Sequence, residues 1–264
     1  MRDTSGAPTP KRQKRSALPD LDPTLFGPSE PAQESAAAAA ADLACGRAHR
    51  RVAHVVGQFP SHVFVPLVPS DAATALMRAG TALLDTLKGV DLGPLLHDRT
   101  FEPVPRTALH VSLSRDFVLF RDVLDPFCAA LRDGLASALR FAFTVDVARA
   151  SVFANDDGTR LFLAFRVAAG APHLQRLVRD AVDPLLARFG AAEPYHADCT
   201  MHVTVASAVP CRAADAPALA ALQACVDSVL SCLPSDEVEG SVVHAEARAV
   251  HCKRGDRCFV VNLN

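Results

Sequence analysis

The sequence predicts an α+β fold with mixed or antiparallel sheets. Segments with alternating apolar residues and segments with apolar residues at helical spacing follow in the order hairpin, helix, strand, helix, hairpin, helix, strand, helix, hairpin. Because most strands are joined to a neighbour by a short turn, this order disfavours a doubly wound parallel sheet. Hydrophobic residues make up 50% of the chain, which is enough for a sizeable core.

The first half of the predicted globule begins with a hairpin. Ser70 is a suitable N-cap for the helix that follows, and Gly89 ends that helix. The elements predicted for this half are strands at residues 52–56, 62–68 and 108–114, a turn at 58–61, and helices at 70–88 and 121–140.

The second half repeats the same kinds of element. An Asn-Asp-Asp-Gly sequence at residues 155–158 predicts a tight turn between two long strands, and Gly190 ends the next helix. The elements predicted for this half are strands at residues 141–153, 160–168, 200–206, 237–250 and 257–263, and helices at 172–189 and 216–230.

Composition excludes several classes of protein. The net charge of -2 excludes a protein that coats nucleic acid by charge alone, although a local basic groove stays possible. No apolar run approaches the roughly 20 residues of a spanning helix, and the first residues lack a secretion signal, so we expect a soluble intracellular protein. The eight cysteines contain no Cys-x-x-Cys pair, which disfavours a zinc ribbon or a disulfide framework.

Residues 1–48 are predicted to be a disordered tail, and residues 49–264 the globular domain. The tail is rich in proline and alanine and offers little apolar surface to compensate for the entropy of ordering. Its basic cluster, Lys-Arg-Gln-Lys-Arg at residues 11–15, fits a nuclear import signal and equally fits a solvated tail.

Two predicted strands, one in each half, have nearly the same sequence: Leu-His-Val-Ser-Leu-Ser and Met-His-Val-Thr-Val-Ala. Successive side chains of a strand point to opposite faces. His110 therefore shares a face with Ser112, and His202 shares one with Thr204, while the apolar residues between them face the core. Each strand presents an imidazole beside a hydroxyl.

Two such strands suit phosphodiester chemistry without a metal or cofactor. One imidazole can take the proton of an attacking hydroxyl and the other can protonate the leaving oxygen, while the hydroxyls bond the phosphate. A half-buried histidine on an apolar strand is also a common structural residue. The matched flanks of the two motifs favour the catalytic interpretation, so we predict His110, His202, Ser112 and Thr204 as catalytic residues.

With their flanks, the motifs resemble the 2H phosphoesterase superfamily and, within it, the U6 small nuclear RNA phosphodiesterase family. The matching segments are residues 61–66, 109–114, 126–127, 141–144, 155, 159–162, 195–204 and 251–255. The resemblance implies two pseudo-symmetric lobes, each an antiparallel sheet with flanking helices, around a central cleft. It also implies that His110 is the general base on a ribose 2′-hydroxyl, that His202 is the general acid on the departing 5′-oxygen, and that the two hydroxyls hold the phosphate.

The resemblance implies further contacts to the substrate. The family usually has a base-stacking tyrosine six positions before its second catalytic histidine, where this chain has His196, and Tyr195 is adjacent. Either ring could stack on a uracil, or the two could lie in an exposed loop. Asp198, Thr200 and Asn155 are predicted as additional substrate contacts, with capping or turn roles as the alternative.

The implied function is metal-independent 3′-to-5′ trimming of the uridine-rich end of U6 small nuclear RNA. Cleavage would proceed by transesterification and leave a 2′,3′-cyclic phosphate, which could be opened afterwards. We expect a nuclear monomer whose partner is the RNA 3′ end, with no membrane contact. Two alternatives stay open: a generic 2H phosphoesterase acting on 2′,3′-cyclic nucleotides or tRNA splicing products, and a non-catalytic RNA-binding module.

Overall fold

The computed structural model describes residues 55–67, 70–93, 95–97, 99–195, 199–232 and 242–264. The predicted tail, residues 1–48, lies outside these ranges. The strands are β1 Gln58–Pro66, β2 Glu102–Pro103, β3 His110–Ser112, β4 Phe117–Phe120, β5 Phe141–Ala154, β6 Leu161–Val167, β7 His202–Ala208, β8 Val242–Ala247, β9 Ala249–Arg254 and β10 Arg257–Asn262. The α-helices are α1 Asp71–Leu87, α2 Leu124–Gly134, α3 Ala171–Leu177, α4 Asp183–Phe189 and α5 Ala216–Ser231, and a π-helical segment, Val178–Val182, joins α3 to α4.

The strands of the described ranges form one antiparallel sheet of ten strands, whose two halves meet edge to edge. The hydrogen-bonded order is β10-β9-β1-β3-β7-β6-β5-β8, with β4 paired to β1 and β2 paired to β7. The first lobe contains β10, β9, β1 and β3, and the second contains β7, β6, β5 and β8. They join where Val111 of β3 pairs with Val203 of β7. The predicted α+β fold with two antiparallel lobes is confirmed, and the structure adds that the two sheets are continuous.

Helix α1 begins and ends as predicted. The Ser70 hydroxyl accepts a hydrogen bond from the Ala73 amide, and Gly89 follows the helix with a positive φ of 83°. Gly80 lies against β7, since a Cβ on it would be 3.0 Å from the Cβ of Val205. Helix α1 therefore packs on the second lobe, where it covers the face of β7 opposite His202.

The other helices also cover the face of the sheets that carries the buried valines. Helix α5 packs on β5 of the second lobe, whereas α2 packs on the first lobe, near β10. The Phe127 ring of α2 lies 5.5 Å from the Phe117 ring of β4 and 5.3 Å from the Phe189 ring of α4. Buried side chains from both lobes form one hydrophobic core. No helix in the described ranges is long and apolar enough to span a membrane.

Three predicted elements were wrong in their limits. The predicted turn at residues 58–61 lies inside β1, because these residues pair with β4, a strand that the sequence analysis did not predict. The predicted strand at residues 237–250 is divided at Arg248, because β8 pairs with β5 in one lobe and β9 pairs with β1 in the other. The predicted helix at residues 121–140 ends at Gly134, and Leu139 beyond it is 69% exposed.

Gly170 provides a test of the packing between β5 and the start of α3. Its φ is 82°, and a Cβ would lie 2.6 Å from the Cβ of Phe143 and 2.8 Å from the carbonyl oxygen of Ala142. Gly190 has a φ of 59° and no atom within 4 Å of the position that a Cβ would take, so it is a matched control. We expect Gly190→Ala to lower the free energy of unfolding by about 1 kcal/mol, the cost of a left-handed backbone. Gly170→Ala should lower it by at least about 2 kcal/mol more, as measured by urea denaturation; equal losses would contradict the packing.

Candidate active site

The pairing of β3 with β7 brings the four predicted catalytic side chains together. One residue to either side of the valine pair, the register places His110 beside Thr204 and Ser112 beside His202. All four side chains are half-buried, while the valines between them are fully buried. The face opposite the helices therefore carries a square of two imidazoles and two hydroxyls, with the imidazoles at diagonal corners.

The two histidine rings are fixed in the same way. The Nδ1 atom of His110 lies 2.6 Å from the Ala108 carbonyl oxygen, and that of His202 lies 2.7 Å from the Thr200 carbonyl oxygen. A carbonyl oxygen can only accept a hydrogen bond, so Nδ1 must carry the proton in both rings. The Nε2 atom of each ring is then the one that accepts or donates a proton in a reaction.

Burial favours the neutral form of the His110 and His202 rings. It lowers the pKa of His110 below its ordinary value, although the bond to the Ala108 carbonyl and the charge of Asp116 act in the opposite direction. Burial also lowers the pKa of His202, against the bond from its ring to a carbonyl, and charges on His110 and Arg166 lower it further. The two rings are thus close enough to influence each other's protonation.

Aromatic rings support the two catalytic histidines differently in the two lobes. The Phe64 and His62 rings of β1 lie 5.0 and 5.1 Å from the His110 ring. In the second lobe, the Phe153 ring of β5 stacks on His202 at 4.2 Å with an angle of 16° between the planes. The contacts to His110 are edge-on or tilted and the contact to His202 is stacked, and both kinds restrict the orientation of the imidazole.

Positive charge lies on both sides of the catalytic square. Arg166 of β6 pairs directly with His202, and its Nε donates to the Ser151 hydroxyl at 2.7 Å. The described residues offer its guanidinium no other hydrogen bond, so its terminal NH₂ groups are available to an anion. Lys253 of β9 pairs with His62, and its charge lowers the pKa of both His62 and His110. A phosphate between the two lobes would meet a cation on each side.

The residues predicted as additional substrate contacts lie in different parts of the chain. His196 and Asp198 lie outside the described residues. Thr200 contributes its carbonyl oxygen to the orientation of the catalytic ring beside it. Asn155 closes the turn between β5 and β6, where its Oδ1 accepts from the Arg160 amide and its Nδ2 donates to Thr159. Substrate contact by these residues stays a prediction.

Tyr195 packs against the hydrophobic core at the last described residue before the gap. Its backbone amide donates to the buried carboxylate of Asp183 at 2.9 Å. Burial raises the pKa of the phenol to about 12, so the hydroxyl is neutral.

An ion pair links the two lobes: Arg115, which follows the first-lobe motif, pairs with Asp156 in the β5–β6 turn.

Sequence reasoning did not assign roles to several of these residues. His62 and Phe64 share a face of β1 by simple alternation, but only the pairing of β1 with β3 shows that this face adjoins His110. Phe153 reaches His202 across β6, which no local pattern indicates. Among the described residues, no group of three or more His, Cys, Asp or Glu side chains has the arrangement of a metal site.

Comparisons with known proteins agree with this geometry. The pattern of the HVSL family, described as an uncharacterised conserved protein, matches residues 29–262. U6 snRNA phosphodiesterase 1 of Bos taurus is 30% identical over 218 residues, which cover 81% of this chain and 73% of the bovine protein. The chain belongs to the U6 snRNA phosphodiesterase family.

Two solved structures have the same fold. Usb1 of Kluyveromyces marxianus superposes with a TM-score of 0.58 at 17% identity, covering 77% of this chain and 98% of that one. A second structure of the same protein, with uridine monophosphate, gives a TM-score of 0.54 at the same identity and coverage. The family membership makes the protein a phosphodiesterase, and the square of two imidazoles and two hydroxyls is the part of the fold suited to that chemistry.

The lowered pKa values predict where activity is greatest. A reaction that needs one neutral and one protonated imidazole is fastest midway between the two apparent pKa values of the pair. Because both lie below the ordinary value of 6.5, kcat/KM for RNA should peak below pH 6.5 and fall as the pH rises toward 8. Arg166→Gln removes a positive charge beside His202 and should move the profile to higher pH. A wild-type maximum above pH 7, measured at constant ionic strength, would contradict the assignment.

Proposed function

We propose that the protein is a 3′-to-5′ exoribonuclease that trims the uridine-rich end of U6 small nuclear RNA by transesterification. The observation that carries this proposal is the catalytic square, in which each lobe contributes an Nε2 atom and a hydroxyl. Two imidazoles held in the same tautomer can act as base and acid on opposite sides of one phosphate. A module that only binds RNA would not need two titratable rings oriented by backbone carbonyls.

The reaction follows from these positions. The Nε2 of His110 takes the proton of the 2′-hydroxyl on the nucleotide before the scissile bond, and that oxygen attacks the phosphorus. The bond from phosphorus to the 5′-oxygen of the last nucleotide breaks, and His202 gives that oxygen its proton. The products are an RNA with a 2′,3′-cyclic phosphate and a free nucleoside. Ser112 and Thr204 bond the non-bridging oxygens as negative charge develops.

The choice of substrate is supported by the relatives and by the surface around the site. The bovine relative is named for U6 small nuclear RNA, and a Usb1 structure contains uridine monophosphate. With a net charge of -2, the protein has little general attraction for RNA. Lys253 and Arg166 instead place positive charge at the phosphate, which suits an enzyme that grips only the last nucleotides of a strand.

A second candidate reaction uses the same square. The rings of His110 and His202 have equivalent bonds to backbone carbonyls, so the base and acid can exchange roles and water can open a cyclic phosphate. An assay of oligo(U) trimming beside 2′,3′-cyclic nucleotide hydrolysis separates the two activities. We also propose that the protein acts in the nucleus as a monomer. The basic cluster at residues 11–15 supports the nuclear location but says nothing about the oligomeric state.

Selective removal of ribose hydroxyls tests the mechanism. An oligo(U) with a 2′-deoxy nucleotide immediately before the terminal linkage lacks the attacking group, so its last nucleotide should not be released. The matched control has its 2′-deoxy nucleotide at the terminus and should be shortened at the normal rate. Mass spectrometry should find a 2′,3′-cyclic phosphate, or its opened form, on the product. Normal release from the first substrate would overturn the transesterification.

Replacement of either catalytic histidine should be severe. His110→Ala and His202→Ala should each lower kcat/KM by at least about 100-fold, because a positioned acid or base is removed. His244→Ala changes an exposed histidine of β8 and is the control, expected within about 2-fold of wild type. EDTA should leave the rate unchanged. A loss confined to one of the two catalytic variants would show that the site does not work as a pair.

A further inference from the structure

The hydroxyl of Ser112 has a hydrogen-bond partner among the described residues, and the matching hydroxyl of the second lobe has none among them. The Nε2 of His62 lies 3.1 Å from the Ser112 Oγ. The described residues provide no hydrogen bond to the side chain of Thr204, which occupies the equivalent position in the other motif. The two halves of the catalytic square are therefore not equivalent, and a third histidine supports only the first.

The charge state of His62 limits what this contact can be. Burial, with smaller effects from the charges of His110 and Lys253, lowers the pKa of His62 to about 3. The ring is neutral under working conditions and has one N–H and one lone pair. Its Nε2 can thus donate to the serine or accept from it, but it cannot serve as an additional acid.

The substrate decides between these two arrangements. A phosphate diester offers only acceptor oxygens, so Ser112 must give its single proton to the phosphate in order to bind it. The serine oxygen is then free to accept, and the ring nitrogen facing it must carry a proton. With the opposite tautomer, the Ser112 proton would point at His62 and away from the phosphate.

We propose that His62 is a positioning residue, whose Nε2–H donates to the Ser112 oxygen and directs the serine proton at the scissile phosphate. The proposal rests on the phosphodiester cleavage described above and adds a residue to it. His62 does not touch the reacting atoms. Its effect reaches them through Ser112, whose hydrogen bond to the phosphate becomes stronger as negative charge develops there.

The packing of the ring determines which variants are informative. The His62 ring stacks on Phe64 at 5.4 Å with 19° between the planes, and meets His110 edge-on. His62→Phe keeps a ring in this space but removes the donor. His62→Gln keeps a donor near the position of Nε2 but removes the ring. The pair separates hydrogen bonding from packing.

The kinetic test measures kcat and KM on oligo(U) for both variants, alone and combined with Ser112→Ala. His62→Phe should lower kcat by roughly 10-fold, the upper range for one neutral hydrogen bond, with KM within about 2-fold. His62→Gln should recover most of that loss. In the Ser112→Ala background, His62→Phe should have no further effect, because the group it positions is gone.

Two kinetic results would overturn the proposal. Equal losses in the Phe and Gln variants would show that a hydrogen-bond donor at this position does not restore the rate. Independent, multiplying losses for His62→Phe and Ser112→Ala would show that His62 does not act through the serine. Thermal melting of each variant identifies any that fails to fold. His62→Gln and the spectroscopic measurement below then decide the question.

A measurement without turnover keeps this proposal separate from the proposed function. The ¹⁵N shifts of the His62 ring, recorded with uridine monophosphate bound at neutral pH, report which nitrogen carries the proton. We expect a protonated Nε2 and an unprotonated Nδ1, whereas a protonated Nδ1 would overturn the inference. If wild-type protein fails to cleave oligo(U), the proposed function fails, but the tautomer still tests the role of His62.

Discussion

The edge pairing of β3 with β7 is the constraint on which the active site depends. A single pair of buried valines fixes the register between the lobes. Because side chains alternate along a strand, a shift of either strand by one residue would turn its histidine and its hydroxyl toward the core. The close approach of Gly80 to Val205 on the opposite face leaves little freedom for such a shift. Core packing and catalytic geometry are therefore two consequences of one register.

The local backbone also orients the two imidazoles of the site. Each catalytic imidazole bonds the carbonyl oxygen two residues earlier in the chain, which lies just before the strand. The tautomer of each ring is thus determined by three consecutive residues and not by a distant carboxylate. This explains how a short motif orients its own imidazole, and why two copies of it on joined sheet edges produce an almost symmetric pair.

Much of this arrangement could be predicted from the sequence, because it depends on local patterns. The alternation around His110 and His202 correctly placed each imidazole on the same face as its hydroxyl, Ser70 and Gly89 bounded α1, and the turn before Gly158 defined the β5–β6 hairpin. Pairing between distant strands is not a local property. The sequence therefore could not show that residues 58–61 pair with β4, or that the chain crosses between lobes at Arg248.

The asymmetry of the site also depends on distant pairing. In the first lobe, β1 places His62 and Phe64 beside the catalytic strand, whereas β6 places Arg166 beside His202 in the second. A surface arginine and a half-buried histidine are common in any sequence, and their meaning appears only when a neighbouring strand is known. The motifs define the shared chemistry of the two lobes, and the adjacent strands make the lobes different.

The position of β9 and β10 has a consequence for how the protein is made. The first lobe needs β9 beside β1 and β10 beside β9, yet β1 precedes every other strand of the described chain, and β9 and β10 follow all the rest. During synthesis, the edge of β1 that pairs with β9 stays unpaired until the residues between these two strands have left the ribosome. Unpaired strand edges favour aggregation. A chain truncated after β8 would lose Lys253 and leave that edge open permanently. The first half of the candidate site is thus completed only after β9, which follows every other strand of the described chain except β10, has been translated.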